Sequence, residues 1–233
     1  MVSLVIPAFN EQKTIKDTVC KAYAFLRKNF DDFEIIVVDD GSRDNTAKEL
    51  IGTEAYVIGL PQNSGKGAAV RTGILHSSGD FVFFTDADLP YSLEFIKEGI
   101  DLMSGGCDIV CGSRKGHYPI RRRILSTTYN RIAQRVLRTE IDDLQCGIKG
   151  FTREAARRIF SLCRIDGFAF DAEALFLARH MGFEIKMIDA SLSHRVQSKV
   201  SLLGDGLEMF ADILKIRNSF EAGEYNFSKL YQG

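Results

Sequence analysis

Two hydrophobic patterns alternate along the first half of the chain. Short apolar runs bounded by turn residues fall at Ser3–Pro7, Glu34–Asp39, Ala55–Gly59, Phe81–Asp86 and Asp108–Gly112. Stretches with helical spacing lie between them, at Thr14–Phe30, Thr46–Ile51, Gly67–Ser77 and Leu93–Met103. Runs that are apolar on consecutive residues, such as Ile35-Ile36-Val37-Val38, suit strands covered on both faces by crossover helices. The succession predicts βαβ units and an α/β fold: a Rossmann-like, mostly parallel central sheet with flanking helices. The second half is less regular. Ile124–Leu137, Arg153–Phe160, Asp171–Met181 and Gly206–Ile216 read as helices, and Ile148–Thr152 and Glu184–Ala190 as strands. With no linker, repeat or low-complexity tract, the chain reads as one domain over residues 1–217 followed by a C-terminal tail, 218–233.

In open α/β sheets ligands bind beyond the carboxyl ends of the strands. Those ends carry Pro7-Ala8-Phe9-Asn10-Glu11, Asp39-Asp40-Gly41-Ser42 and Thr85-Asp86-Ala87-Asp88, so polar and acidic groups are expected to converge on one edge. Side chains alternate along a strand, so Asp86 and Asp88 share a side if the strand continues through them. Two adjacent carboxylates repel unless a cation neutralises them or one is protonated. A hard divalent ion, Mg²⁺ or Mn²⁺, with substrate phosphates completing its shell would resolve that conflict. The alternative is that Asp88, just before Pro90, caps the following helix. Asp39 and Asp40 are placed to accept hydrogen bonds from a nucleobase or ribose. Alternatively, Asp40-Gly41 makes a tight turn, with Ser42 or Asp44 capping the next helix. The glycine-rich segment Asn63-Ser64-Gly65-Lys66-Gly67 is not a P-loop: Lys66 is followed by Gly67, and Gly59 is one position too far upstream. Its glycines suit a tight entry into a closely packed helix.

Composition narrows the classes further. Of 233 residues, 45% are hydrophobic and 26% charged, which argues against disorder or a fibrous repeat. Thirty basic against 31 acidic side chains give a net charge of −1, which argues against a broad nucleic-acid footprint. Apolar runs such as Leu4–Phe9 fall far short of the roughly 20 residues that cross a bilayer. Met1 leads straight into a strand-like segment, so no signal peptide is visible and a cytoplasmic location is expected. The five cysteines include no Cys-x-x-Cys pair and no zinc pattern, and are expected to be buried, reduced thiols.

Together these motifs resemble glycosyltransferase family 2, the inverting enzymes of GT-A fold. Val5-Ile6-Pro7-Ala8-Phe9-Asn10-Glu11 looks like the family's V-I-P-x-x-N-E, and the stretch from Val37 to Thr46 like V-V-D-D-G-S-x-D-x-T. Asn63–Gly67 is similar to N-x-G-K-G and Asp86-Ala87-Asp88 to D-A-D. Gly112-Ser113-Arg114, Gln145–Thr152 and Gly167–Glu173, with Arg195 and Ser198-Lys199, resemble segments of the dolichyl- or polyprenyl-phosphate sugar synthases. The Gln145-Cys146-Gly147 element tilts the likeness towards the glucose-transferring branch.

The resemblance implies transfer of a hexose from UDP-glucose or GDP-mannose to a polyprenyl or dolichyl phosphate. It implies that Pro7, Phe9, Glu11, Asp39, Asp40, Lys66, Asp86 and Ala87 meet the nucleotide sugar, with Asp40 favoured for the base. Asp86 and Asp88 would hold Mg²⁺ or Mn²⁺. Arg114, Arg122, Arg123, Arg195 and Lys199 would meet acceptor and donor phosphates, and Asp88, Arg114 and Asp171 would serve catalysis. Asp171 could equally cap its helix, and the Arg121-Arg122-Arg123 run could be a solvated helix start. These synthases often carry a Gln ligand where this chain has Pro90, so water or phosphate would take that position. A phosphate monoester, with its second pKa near about 6, is mostly deprotonated at neutral pH and needs no strong general base. The lipid acceptor implies contact with the cytosolic face of a membrane, through the apolar stripe of Gly206–Ile216 or a membrane-anchoring partner, although such a stripe also suits core packing. Two alternatives share the motifs: a saccharide hydroxyl as acceptor, or a nucleotide-sugar-binding protein with impaired chemistry.

Overall fold

The computed structural model describes residues 1–115, 120–138, 146–191 and 204–227. In chain order these form β1 (Val2–Ala8), α1 (Ile15–Asn29), β2 (Phe33–Asp39), α2 (Thr46–Glu49) and β3 (Ala55–Gly59). Then come α3 (Lys66–His76), β4 (Phe81–Thr85), α4 (Glu94–Ser104), β5 (Ile109–Lys115) and α5 (Ile120–Leu137). The chain continues through β6 (Ile148–Thr152), α6 (Arg153–Phe160), α7 (Phe170–His180), β7 (Ile185–Ser191) and α8 (Gly204–Glu221).

The strands make one sheet in the order β3-β2-β1-β4-β6-β5-β7. Every neighbouring pair is parallel except those of β6, which runs antiparallel to both β4 and β5. The central strands are buried on both faces, as their unbroken apolar runs require. Val5, Ile36, Val38 and Phe84 feed one hydrophobic layer, and Leu4, Ile6, Ile35, Val37 and Phe83 the other. At the edge, β3 is only half covered, and Tyr56 is exposed. No helix among the described residues is long and apolar enough to cross a membrane.

Chain order reverses at β1: β2 and β3 build outward on one side, β4 on the other. The β1–β2 ladder continues to Ala8 and Asp39, but the β1–β4 ladder stops at Val5 and Phe84. The two strands therefore part at their carboxyl ends, at the switch point where such sheets bind ligands. Pro7, with no N–H to donate, falls where pairing to β4 has ended. Because β6 is antiparallel, its beginning lies at the same edge, with Ile148 opposite Thr85.

The expected elements all appear, with shifts at their ends that have local causes. β4 stops at Thr85, because Leu89 donates its N–H to the Asp86 carbonyl (3.1 Å) and closes a turn. Leu89 adopts a left-handed backbone with φ 45°, a strained state for a branched residue. The strand-face relation expected for Asp86 and Asp88 therefore does not hold: a turn, not a strand, carries Asp88. Asp88 is also not the cap of α4, whose N-cap is Leu93. β5 extends to Lys115 because β7 pairs alongside it as far as Ser191. α8 runs unbroken through residues 217 and 218, and Tyr225 beyond it is buried in the core. Of its stripe, Met209, Ile213 and Ile216 are buried, whereas Leu207 and Leu214 are exposed. Four of the cysteines are buried thiols; Cys20 is exposed.

Candidate active site

The loops after β1 and β2 are stitched together by side chains from both. Asn10 donates its N–H to Ser42 Oγ (2.9 Å), and Arg43 N–H donates to Asn10 Oδ1 (2.9 Å). Glu11 N–H donates to Thr46 Oγ1 (2.8 Å), and Asn45 N–H to Gln12 Oε1 (3.1 Å). Asp39 accepts from Ser42 N–H (3.0 Å) and Asp44 from Thr46 N–H (2.9 Å). The Asn10 backbone is left-handed (φ 54°), a conformation Asn tolerates better than most residues. Phe9 stands exposed at the rim and Pro7 is buried behind it. The Glu11 carboxylate accepts from Thr14 Oγ1 (2.8 Å).

Asp40 links this platform to the next loop. Its two carboxylate oxygens accept from the N–H groups of Ser64 (2.7 Å) and Gly65 (2.9 Å). Burial raises the Asp40 pKa, against the lowering effect of those two hydrogen bonds. Its carboxylate, expected at a nucleobase, is thus engaged in shaping the entry to α3. Gly65 is left-handed (φ 103°), and a Cβ there would meet the Asp166 carbonyl at 2.4 Å. Gly67 lies equally flat against Ile165 and Phe170, and its N–H donates to the Asp166 carbonyl (2.7 Å). The glycines therefore serve close helix packing, as expected for a segment that is not a P-loop.

That entry aims Lys66, the first residue of α3, at the turn after β4, where its ammonium pairs with Asp86 Oδ1. Thr18 of α1 holds the turn from behind, donating to the Ala87 carbonyl (2.6 Å). Gly147, just before β6, makes room for the same carboxylate: a Cβ there would lie 2.2 Å from Asp86 Oδ2. A second ion pair stands beside the first. Lys149 of β6, wholly buried, donates to Asp171 Oδ1 of α7 (2.8 Å) and to the Cys146 carbonyl (2.7 Å). Burial alone would lower the pKa of Lys66, but the carboxylates of Asp86, Asp171 and Asp88 outweigh it and raise it. Burial also opposes a charge on Lys149, and chiefly Asp171 holds it protonated. Burial lifts the Asp171 carboxyl, with Lys149 and Lys66 pulling it back. The result, among the described residues, is a cluster of three carboxylates and two ammoniums at the parted ends of β1 and β4.

Two residues along α7 from Asp171, Glu173 takes no part in this cluster. It accepts from the N–H groups of Arg164 and Ile165 (2.9 and 2.8 Å) and from Tyr225 Oη (2.6 Å). Asp171 lies inside the first turn of α7, whose N-cap is Ala169, so it does not cap the helix. Tyr129 of α5 is buried nearby, and burial and the Asp171 charge raise its phenol.

The fold thus brings Lys66, Asp86, Asp88 and Asp171 together, with Pro7, Phe9, Glu11, Asp39, Asp40 and Ala87 on the loops around them. Arg114 lies near the end of β5 and Arg122 and Arg123 lie in α5, but their side chains are outside the described residues, as are Arg195 and Lys199 altogether. Lys149 and Gly147 carried no role in the sequence reading. A lysine inside the apolar strand Ile148-Lys149-Gly150-Phe151 was the available signal, since a buried charge needs a counter-charge.

The donor set is chemically apt for Mg²⁺ or Mn²⁺, which take hard oxygen ligands and commonly use one or two carboxylates with water and phosphate. No group of three or more His, Cys, Asp or Glu placed to hold a metal occurs among the described residues. Among the described residues, Asp86 and Asp88 would therefore share such an ion with ligands beyond these two carboxylates, such as water or phosphate, and Asp86 is engaged by Lys66.

The family described as Glycosyl transferase family 2 matches residues 3–160. Among curated relatives, a dolichyl-phosphate beta-glucosyltransferase of Dictyostelium discoideum is 32% identical over 95% of this chain and 75% of its own length. The protein of that name from Homo sapiens is 31% identical over 98% of this chain and 78% of its own. Among solved structures, the glucosyl-3-phosphoglycerate synthase of Mycobacterium tuberculosis, crystallised with Mn²⁺, UDP and glucosyl-3-phosphoglycerate, superposes with a TM-score of 0.73. The match covers 94% of this chain and 80% of that one at 24% identity. The same enzyme with Mg²⁺ and UDP gives 0.71 at 22% identity. These structural likenesses establish the fold.

Proposed function

From the premise that this chain belongs to glycosyltransferase family 2, we propose that it is an inverting hexosyltransferase that moves glucose from UDP-glucose to a polyprenyl or dolichyl phosphate. The observation that carries this reading is identity of about a third, across nearly the whole chain, to relatives named dolichyl-phosphate beta-glucosyltransferase.

The geometry supports it on the donor side. The nucleoside would lie over the loops of Phe9–Glu11 and Asp39–Ser42, and the diphosphate over the charged cluster. A divalent ion held through Asp86 and Asp88 would neutralise the leaving diphosphate. Lys66 is placed to add a further positive charge beside it.

On the acceptor side, Asp171 is, among the described residues, the acidic side chain that the second half of the chain brings to the cluster. Its carboxylate accepts from the buried ammonium of Lys149. That arrangement suits an acceptor that arrives already deprotonated, as a phosphate monoester does. Attack from the face opposite the nucleotide inverts the anomeric centre. Contact with a membrane would be peripheral, and Leu207 and Leu214 are exposed apolar side chains on α8 that could meet it.

The test incubates the protein with UDP-glucose or GDP-mannose, Mg²⁺ or Mn²⁺, and either dolichyl phosphate, undecaprenyl phosphate or a panel of free saccharides. Transfer from UDP-glucose to the lipid phosphates, giving a β-linked product by NMR, is expected. An α-linked product, or transfer to saccharide hydroxyls alone, would overturn the reading. The acceptor panel is a cleaner discriminator than Asp171→Asn, because that substitution also strands the buried Lys149.

A further inference from the structure

The two lysines of the charged cluster are held very differently. Lys149 is wholly enclosed, bonded to both Asp171 and the Cys146 carbonyl, and fixed in the middle of a strand. Lys66 sits at the first position of α3 with its side chain 22% exposed, and its ammonium donates to Asp86. Its ammonium also feels Asp171 and Asp88, and lies 6.0 Å from the ring of Phe170, next to Asp171. A lysine is a mobile point charge on a four-carbon stem, and three carboxylates act on this one ammonium. Asp86 is the carboxylate that a divalent ion would need, and it has a neighbour at Gly147 shaped to leave it room.

The charge balance gives this arrangement a direction. Among the described residues, three carboxylates against two ammoniums leave one negative charge in the cluster. Adding a divalent ion reverses the sign and favours a diphosphate. Without Lys66 the empty cluster would carry two negative charges and would attract a divalent ion with no nucleotide present.

We infer that Lys66 is a built-in counter-ion that occupies Asp86 while the donor site is empty and yields that carboxylate to the divalent ion when the nucleotide diphosphate binds. Lys66 then turns towards Asp171 and the diphosphate. Metal and nucleotide affinities are coupled as a consequence, and the coupling is reciprocal. This inference rests on the donor-site reading above.

The test measures Mn²⁺ binding by electron paramagnetic resonance, with and without UDP, for the wild type, Lys66→Met and the charge-keeping Lys66→Arg. Circular dichroism melts confirm that each is folded. Lys66→Gln, which keeps the length and polarity, serves as a second neutral variant. Without UDP, both neutral variants are expected to bind Mn²⁺ about tenfold tighter than the wild type, which corresponds to about 1.4 kcal/mol. Lys66→Arg should stay near the wild type. With UDP present, the enhancement of Mn²⁺ affinity should be large in the wild type and reduced in the neutral variants. Equal or weaker Mn²⁺ binding by folded neutral variants in the absence of UDP overturns the inference and leaves the donor-site reading standing. If neither wild type nor variants bind Mn²⁺ even with UDP, the donor-site reading fails and this inference falls with it.

Discussion

Asp171 and Glu173 stand two residues apart on α7, both buried, and the protein accommodates them in opposite ways. Asp171 faces the charged cluster and is matched by the ammonium of Lys149. Glu173 faces away, towards the α6–α7 connection, and has hydrogen-bond donors in place of a cation: two backbone amides and the Tyr225 hydroxyl. Residues at i and i+2 of a helix project in different directions, so one turn serves two regions. An ion pair can exchange partners when a charged ligand arrives. A carboxylate held by backbone amides fixes a loop. Here that loop is Arg164–Asp166, and the Asp166 carbonyl in turn accepts from Gly67 and Ala68 at the start of α3. Arg71 of α3 pairs with the Asp166 carboxylate (2.6 Å), and Arg164 pairs with Glu224 beyond α8 (2.7 Å). The Glu173 region is thus the scaffold on which Lys66 is presented, and the Asp171 region faces the charged cluster.

The contrast is most directly broken at Lys149. Lys149→Met leaves a buried carboxylate unpaired and should cost about 3–5 kcal/mol of stability, read by urea denaturation. Lys149→Met combined with Asp171→Leu should recover most of that loss, because a buried ion pair replaced by apolar groups is often neutral.

On the scaffold side, Glu173→Gln places an amide N–H₂ against groups that already donate, for a loss of about 1–3 kcal/mol. That loss should depend on pH. Burial raises the Glu173 pKa above its ordinary 4.5, so the native state holds the proton more tightly than the unfolded chain. The carboxyl therefore contributes its full stability below pH 4.5 and loses it as pH rises through the elevated native value. The penalty of Glu173→Gln should be largest in acid and shrink towards neutrality, which denaturation curves across that range will show. A penalty that grows with rising pH would mean that Glu173 behaves as an ion-paired carboxylate, and the contrast with Asp171 would vanish.

Tyr225→Phe removes one donor and should cost about 1 kcal/mol, again by denaturation. It should also weaken UDP-sugar binding slightly if the scaffold positions Lys66. The smallest effect on stability and the sharpest on the site is expected from Gly147→Ala. Its methyl group would displace the Asp86 carboxylate, lowering donor affinity about tenfold or more with little change in the melting temperature of the unliganded protein. Thermal shifts measured with and without UDP-glucose and Mn²⁺ provide the check, since a ligand of the native state raises its stability.

Much of this architecture is legible in the one-dimensional pattern. The strand at Ala55–Gly59 and the elements Ile148–Thr152 and Arg153–Phe160 agree end to end with the expected ones, because apolar runs and turn residues delimit them locally. The acidic strand ends fall at one edge because parallel crossovers place successive carboxyl ends together. The end of β4 was less legible: nothing in Thr85-Asp86-Ala87-Asp88 announces that Leu89 closes a turn. For Asp40 the residue type suggested a ligand contact, and nothing in the local sequence announced that two amides of a distant loop engage it.

Periodicity, turn residues and residue chemistry thus determined the order of elements, the parallel core of the sheet and the edge at which acids gather. These are local properties, set by what a few consecutive side chains can bury. The direction of β6, and with it the arrival of Gly147 and Lys149 beside Asp86 and Asp171, was decided only in three dimensions. So were the pairings of Lys66 with Asp86, Lys149 with Asp171, and Tyr225 with Glu173, which join residues 20, 22 and 52 positions apart. A buried charge calls for some partner, but which one it meets depends on how the sheet is assembled.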